Sequence, residues 1–416
     1  MRASLRGRSW TRRGSADGSR TGGSDAASRR PTSAGRWDRR GAGPKTWRAG
    51  SGSKTCGCRC SCARQRSCAS RWRTCGRIRL CSPRLPPSPV ARSPEAAAVI
   101  RELYRPTSPA GPTPPLPALA RRVAFCGTAY QACHYGALGR ELATLLPLAQ
   151  AVADSASPGA VEAHVLLSRT LQLTASFLHK YGAATATQAA IVADRALAAA
   201  ERSGDPVAIG AAARRVVRSL TRQAHPDAAR EFAVGTARRL APELERRGPV
   251  GLSTLGMLYL NAVLSASGSG RSPAAVHQAA EHVGEAGDAA ARQGADLNAG
   301  YTSFGPTNVR LHEVDIAVRF EDGWGALRVA ERLPTAAVDG LTRERRARHL
   351  ATMARAQLLT RQKDAAAVSL VTAAQLAPEE ITSRAPSVAL VEDVLGAHAQ
   401  PPAALRDLAR RCGLPA

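Results

Sequence analysis

Acidic residues are nearly absent from the first 94 positions of this 416-residue chain. That segment holds 3 of the 32 Asp and Glu residues but 23 of the 58 Lys and Arg residues, so it carries most of the formal net charge of +26. The remaining 322 residues are left with 35 basic and 29 acidic groups. This is the balance of an ordinary, slightly basic soluble chain. The extreme basicity therefore belongs to residues 1–94 alone.

Residues 1–94 also lack apolar periodicity. Arg, Gly, Ser and Thr dominate, and there is too little aliphatic surface to offset the entropy of ordering the backbone, so we predict disorder. One alternative is a zinc site, although the single-residue gaps of Cys56-x-Cys58-x-Cys60-x-Cys62 fit zinc spacing poorly. Another is a basic arm that binds nucleic acid through phosphates. A third hypothesis is that a GC-rich gene is read out of frame here.

No stretch of the sequence is both long and continuously apolar. The N-terminus is positively charged, but no apolar run follows it, so it does not resemble a secretory signal. The longest uncharged run, 248–270, is interrupted by Ser, Thr, Asn and Gly. This pattern favours a buried core helix over a membrane span. We expect a cytoplasmic protein with no membrane partner.

Strand signals are absent from the rest of the chain, and helical spacing prevails. Residues 95–116 are predicted to form a short helix near 95–104 and a Pro-rich linker. From 117 to 416, turn signals recur near 135, 181, 226, 271, 322 and 363, a period of about 40 to 50 residues. The sequence therefore predicts an all-α fold, a helical-hairpin (tetratricopeptide-like) solenoid with a disordered N-terminal segment.

The predicted helices fall into six pairs followed by two terminal caps. The caps are expected near 386–397 and 402–412. The pairs are 121–134 with 140–153, 159–180 with 183–202, 206–223 with 226–247, 250–266 with 272–293, 306–320 with 324–333, and 342–361 with 363–377.

The fifth pair opens with the most informative stretch of the chain. Gly305 and Pro306 mark a helix start, because Pro at the first helical position leaves no amide unpaired. The helix that follows carries apolar residues on two sides. Such a helix is predicted to lie between neighbours, as inner helices of stacked hairpins do. The two stripes are Leu311, Val314 and Val318 on one side and Val309, Ile316 and Phe320 on the other.

No catalytic constellation can be recognised in the sequence. We find no nucleophile, base and acid set and no paired carboxylates in a pocket-like context, so we expect no enzyme, no cofactor and no metal site. Cys126 and Cys133 are read as buried, small apolar residues. A basic cluster is read as a solvated surface, with an acidic partner or the DNA backbone as the alternative; it comprises Arg343, Arg345, Arg346 and Arg348.

A ligand groove is predicted around the start of the fifth pair. Repeat arrays present the first helix of each pair on a concave face, where ligands bind. The candidates are the entry loop from Tyr301 to Phe304, together with Asn308 and Arg310. A polar residue at a helix start can hold an anionic or peptide group. The alternative is that Asn308 only satisfies local backbone amides.

Seven short segments, taken in their order and spacing along the chain, resemble the actinobacterial XRE-type (helix-turn-helix) transcriptional regulators. One of them is Phe304-Gly305-Pro306-Thr307-Asn308-Val309. The resemblance covers about 117–400 and implies an N-terminal DNA-reading domain with a C-terminal tetratricopeptide-like domain. The other segments are Leu171–Leu178, Ala196–Pro206, Leu255–Leu260, Gly323–Leu327, Arg345–His349 and Leu376–Glu379.

The resemblance implies DNA as a partner, a peptide or protein in the groove of the repeats, and a possible homodimer. Residues 1–94 show no helix-turn-helix pattern, so the DNA-contacting residues are unknown. The expected function is thus a transcriptional regulator with a sensing or dimerising repeat domain and a missing or garbled DNA reader. The alternative is a stand-alone protein-interaction scaffold with no specific DNA binding.

Overall fold

Helices make up every regular element in the described part of the chain, with no strand among these residues. The computed structural model describes residues 93–105, 113–155 and 159–415. The predicted disorder of 1–94 and its alternatives lie outside these residues, apart from Ser93 and Pro94. A single β-type bridge joins Leu297 to Phe304 within this part of the chain.

The first nine helices follow the predicted order closely. They are α1 (Pro94–Leu103), α2 (Leu116–Gln131), α3 (Tyr135–Ser155), α4 (Ala160–Leu178), α5 (Ala186–Ser203), α6 (Pro206–Arg222), α7 (Pro226–Arg246), α8 (Gly248–Ala266) and α9 (Pro273–Gln293). A 3₁₀ helix, His179–Thr185, joins α4 to α5. The first predicted turn is displaced, because Tyr135 already begins α3.

The remaining helices include two short ones that the sequence pattern did not predict. They are α10 (Pro306–Arg319), α11 (Gly323–Glu331), α12 (Thr335–Asp339), α13 (Arg343–Leu359), α14 (Lys363–Leu376), α15 (Pro378–Thr382), α16 (Ala385–Gly396) and α17 (Ala403–Arg411). Helices α12 and α15 have five residues each, too few to show a 3.6-residue period.

Side-chain caps and prolines fix where several helices begin. The carboxylate of Asp205 accepts a hydrogen bond from the Ala208 backbone N–H at 2.7 Å, and Asp322 does the same for Gly325 at 2.7 Å. Each cap satisfies a backbone donor that has no partner within its helix. Proline occupies the first turn of α1, α6, α7, α9 and α10.

Helix α10 is buried on two sides, as its two apolar stripes predict. Ile316 and Phe320 pack with residues of α8 and α9, whereas Val314 packs with Ala326 of α11 and Ala356 of α13. The close α13–α14 pairing is also confirmed, with small Ala residues and Leu370 in its seam.

Helix α1 belongs to the core although residues 95–116 were predicted as a short helix and linker. Ala96 and Val99 are fully buried, and the helix packs mainly on α3. The hydroxyl of Ser93 donates to that of Tyr181 at 3.0 Å, which ties the start of α1 to the 3₁₀ helix. Ten residues, three of them consecutive alanines, gave too weak a pattern to predict this packing.

From α2 to α10 every second helix lies in an inner row, which α13 completes. Contacts run from α2 to α4, α6, α8, α10 and α13 in turn, and α13 also contacts α2. The inner helices therefore form a closed circuit, which we call the inner circuit. Hydrogen bonds between distant parts of the chain support the closure, since the Tyr135 hydroxyl donates to Glu380 at 2.7 Å and the Tyr301 hydroxyl donates to the Ala124 carbonyl at 3.2 Å.

Helix α8 is the one described helix that is long and apolar enough to cross a membrane. However, 72% of its apolar window is buried inside the protein. Leu255, Leu258 and Leu260 are packed among neighbouring helices. The prediction of a buried core helix in 248–270 is thus confirmed.

Candidate anion-binding site

A row of arginines runs along α6. We call Arg214, Arg215, Arg218 and Arg222 the arginine stripe. Residues three or four positions apart share a helix face, and Arg218 stands in that relation to each of the other three. The opposite face of α6 is made of Ala, Ile and Val residues that pack in the core. The stripe therefore presents four guanidiniums on one side of a well-anchored helix.

Arginines from two other inner helices face the stripe. Burial lowers the pKa of Arg214 well below its ordinary value, and the charges of Arg215, Arg345 and Arg169 lower it further. Arg169 lies on α4 and Arg345 lies on α13. Positive charge from three inner helices, α4, α6 and α13, therefore bears on Arg214.

The stripe is poorly neutralised within the described part of the chain. The Nε atoms of Arg214 and Arg215 are buried and have no hydrogen-bond partner there. Burial, followed by the charges of Arg218, Arg384 and Arg348, lowers the pKa of Arg222 to about 9. A buried cation without a partner loses hydration that nothing replaces. The cluster is thus a concentration of positive charge that an anion would neutralise.

The carboxylates near the stripe are already engaged. Lys180 Nζ lies 2.6 Å from Glu380 Oε2 and 3.2 Å from Glu344 Oε1. Arg348 and Arg384 approach the same two carboxylates at 3.4 and 3.6 Å. The carboxylates of Glu344 and Glu380 are thus paired with the cations of this ion network, so little negative charge remains to neutralise the stripe.

An apolar cavity of about 260 Å³ adjoins this cluster. Helices α2, α4 and α6 supply most of its wall, and Tyr301 closes one side. Arg169 also lines it, with its guanidinium carbon 5.7 Å from the centre of the Tyr301 ring. A second cavity, of about 40 Å³, lies between α10 and α13 and is lined by Arg345 and Arg348.

The residues predicted to form a ligand groove do not meet in one cavity. Tyr301 lines the 260 Å³ cavity and is 38% exposed, but Phe304 and Asn308 have no exposed surface. Arg310 is exposed and forms an ion pair with Glu313 at 2.8 Å. Phe304 and Asn308 are covered by neighbouring side chains, and the ligand groove at these four residues stays a prediction.

Phe304 and Asn308 make packing contacts with α8. The Phe304 ring packs on Gly256, where an added Cβ would lie only 2.0 Å from the ring. The Asn308 amide donates to the sulfur of Met257 at 3.5 Å, while its carbonyl oxygen has no partner in the described part. These contacts join the loop before α10 and the first turn of α10 to the centre of α8.

The sequence predicted that the arginines of α13 form a solvated surface, but they are not uniformly exposed. Arg343 is exposed, whereas Arg345 and Arg348 are half-buried in the inner circuit. Cys126 and Cys133 are free thiols in buried positions, as predicted. Burial raises the pKa of each thiol to about 12, which keeps both protonated at neutral pH.

The arginine stripe was missed because its local sequence looks like an exposed face. Residues 214–222 read Arg-Arg-Val-Val-Arg-Ser-Leu-Thr-Arg, and arginine at helical spacing usually marks solvent. The available signal was the near-continuous Ala and Val face that flanks it. That face places α6 in the interior, where the presence of four arginines requires a structural or functional explanation.

The described residues contain no group of three or more His, Cys, Asp or Glu residues that could hold a metal ion. No protein-family model matches the chain, and no curated protein matches it. The fold and the site therefore define a class only, an all-α protein with a buried, under-neutralised arginine cluster in its inner circuit.

Proposed function

We propose that this protein is a transcriptional regulator whose helical part senses a small, multiply charged anion in the inner circuit. The observation that carries the sensing role is the arginine stripe with its unpartnered, buried guanidinium nitrogens. Guanidinium matches phosphate and carboxylate groups through paired N–H donors, and it stays charged where lysine would not. Burial and then mutual repulsion lower the pKa of these arginines, and an anion on the stripe would offset both effects.

The regulatory role is inferred from the resemblance to XRE-type regulators, which also supplies the tetratricopeptide-like solenoid and DNA as the partner. The inner circuit gives the sensing role a physical basis. Ligand binding between α4, α6 and α13 changes the balance of charge across helices from distant parts of the chain. A cytoplasmic location agrees with this proposal.

Titration with inorganic tripolyphosphate, followed by calorimetry, tests the sensing role. The full chain should bind it, and Arg214→Met and Arg218→Met should weaken binding at least about tenfold each, since a charge-assisted contact contributes about 1.5–3 kcal/mol. The matched control is Arg239→Met, an exposed arginine on the neighbouring helix α7. Equal affinity in all four proteins would contradict the proposal.

A selection of DNA fragments bound by the full chain tests the regulatory role separately. Sequence-selective binding that persists at elevated salt supports a DNA reader. Binding that falls steeply with salt and ignores base sequence would reflect phosphate contacts by the basic segment alone. In that case the alternative function, a scaffold for a peptide or protein partner, would be favoured.

A further inference from the structure

The 260 Å³ cavity is apolar over most of its surface. Its wall contains Val123 of α2, Val165 and Leu166 of α4, and Val207 and Ala208 of α6. An apolar cavity of about 150 Å³ already accommodates a benzene ring. This cavity is therefore large enough for an aromatic ring or a short branched chain.

Few polar groups line the cavity, and most of them are satisfied. Asp205 caps α6 through Ala208 and lies 3.5 Å from Arg247. The Gln172 amide donates to Ser168 at 3.0 Å. Arg169 contacts only the face of the Tyr301 ring among the described aromatic groups. Arg169 thus provides an available positive charge at the edge of an apolar space.

The cavity and the arginine stripe lie on the same side of α6. Val207 and Ala208 precede Arg214 and Arg215 by seven residues, so each pair shares a face two turns apart. That separation is about 10 Å along the helix axis. Arg169 lines the cavity, and its positive charge adds to the effect of burial in lowering the pKa of Arg214 and Arg215.

We propose that the ligand is a small amphipathic anion, with an aromatic or branched apolar group in the cavity and its phosphate or carboxylate group on Arg169 and the arginine stripe. This inference rests on the proposed sensing function and specifies its ligand class. A fully hydrophilic anion would leave the cavity unfilled. A neutral apolar ligand would leave the arginines unpaired.

Calorimetry with phenyl phosphate and inorganic phosphate tests the pairing of the two regions. The full chain should bind phenyl phosphate at least about tenfold more tightly than inorganic phosphate, because burying an aromatic ring contributes more than one power of ten in affinity. Ala124→Leu fills the exposed mouth of the cavity and should reduce this ratio to below about threefold, with no change for inorganic phosphate. Val165→Phe, from the opposite wall, should do the same.

Two further variants complete the design. Thr128→Leu adds the same side chain to α2 outside the cavity lining and should leave the ratio unchanged. Arg214→Met should weaken the binding of both anions. If both anions bind equally to the unaltered chain and both need Arg214, the amphipathic ligand is wrong while the sensing function stands. If neither anion binds, the sensing function falls as well. A ratio that survives both filling variants also overturns the cavity assignment.

Discussion

At the scale of single residues, the proposed anion site and the stability of the fold place opposite demands on Arg214. Arg214 is 8% exposed, and its Nε atom has no partner among the described residues. A residue that served only to hold the fold together would be paired. Under the proposed sensing function, Arg214 is paired only when the anion is bound. It therefore lowers the stability of the unliganded protein, as ligand sites commonly do.

Arg214→Met should therefore make the unliganded protein more stable. Replacing a buried charge with an apolar side chain of similar length is neutral or stabilising, and we expect a gain of about 1 kcal/mol in the free energy of unfolding. Urea unfolding in a buffer without multivalent anions measures it. Arg239→Met, on the exposed face of α7, should change little. A loss of stability at Arg214 would show that it has a structural role.

His179 should make stability depend on pH. Burial, followed by the charges of Arg218, Arg222 and Arg215, lowers the pKa of His179 from 6.5 to about 2. Below pH 6.5 the unfolded chain takes up a proton that the folded chain does not, so stability falls as pH falls. One such site approaches a slope of about 1.4 kcal/mol per pH unit.

Comparison of unfolding free energies at pH 6 and pH 5 tests this expectation. His179→Gln should remove one site's share of the slope, while the exposed His277→Gln should leave it unchanged. Other buried histidines, among them His312, keep part of the dependence in both variants. Equal slopes in the two variants would mean that His179 is protonated in the fold.

At the scale of elements, α8 and the loop before α10 fit each other closely. Gly256→Ala places a methyl group against the Phe304 ring and should cost about 1–3 kcal/mol of stability. Phe304→Leu in the same chain should recover part of that loss, because the smaller side chain makes room. The difference between single and double variants in thermal unfolding measures the coupling. Additive effects would contradict a direct contact.

Individual helices were more predictable than their arrangement. The bounds of α6, α7 and α9 follow from proline and capping residues beside an apolar face, all of which are local signals. By contrast, the burial of the arginine stripe depends on how α6 packs against α4 and α8, which no local signal gives. The burial of Phe304 and Asn308 was not predictable for the same reason, since Gly256 and Met257, which they contact, are about fifty positions earlier.

At the scale of the whole molecule, one buried ion network joins the 3₁₀ helix after α4 to α13 and α15. Lys180 bonds Glu344 and Glu380, which are 164 and 200 residues away. Its ammonium lies 4.7 and 4.8 Å from the ring centres of Tyr130 and Tyr135. All three ionised side chains are almost fully buried. The network therefore fixes how the C-terminal helices meet the N-terminal ones.

Acid should loosen this closure. Burial alone would raise the pKa of Glu344 and Glu380, but the charge of Lys180 outweighs it, so the pKa of each carboxyl lies below its ordinary value of 4.5. A carboxyl with a lowered folded pKa stabilises the protein above pH 4.5 and loses that contribution as the pH falls further. Unfolding measured from pH 5 to pH 3 should show it. A triple variant, Lys180→Met with Glu344→Gln and Glu380→Gln, should show a shallower decline.

Removing the lysine of the network alone should destabilise the protein more than removing the lysine together with a carboxylate. Lys180→Met leaves two carboxylates buried without their shared cation, and we expect a loss of about 3–5 kcal/mol in the free energy of unfolding. Adding Glu380→Gln removes one of the stranded charges, so the double variant should be more stable than Lys180→Met alone. Arg348 still neutralises Glu344 in that variant. Denaturant unfolding of the two variants measures this difference in stability. If the double variant is less stable than Lys180→Met alone, the expectation is wrong. Tyr135 and Arg384 would then stabilise the Glu380 carboxylate without the lysine.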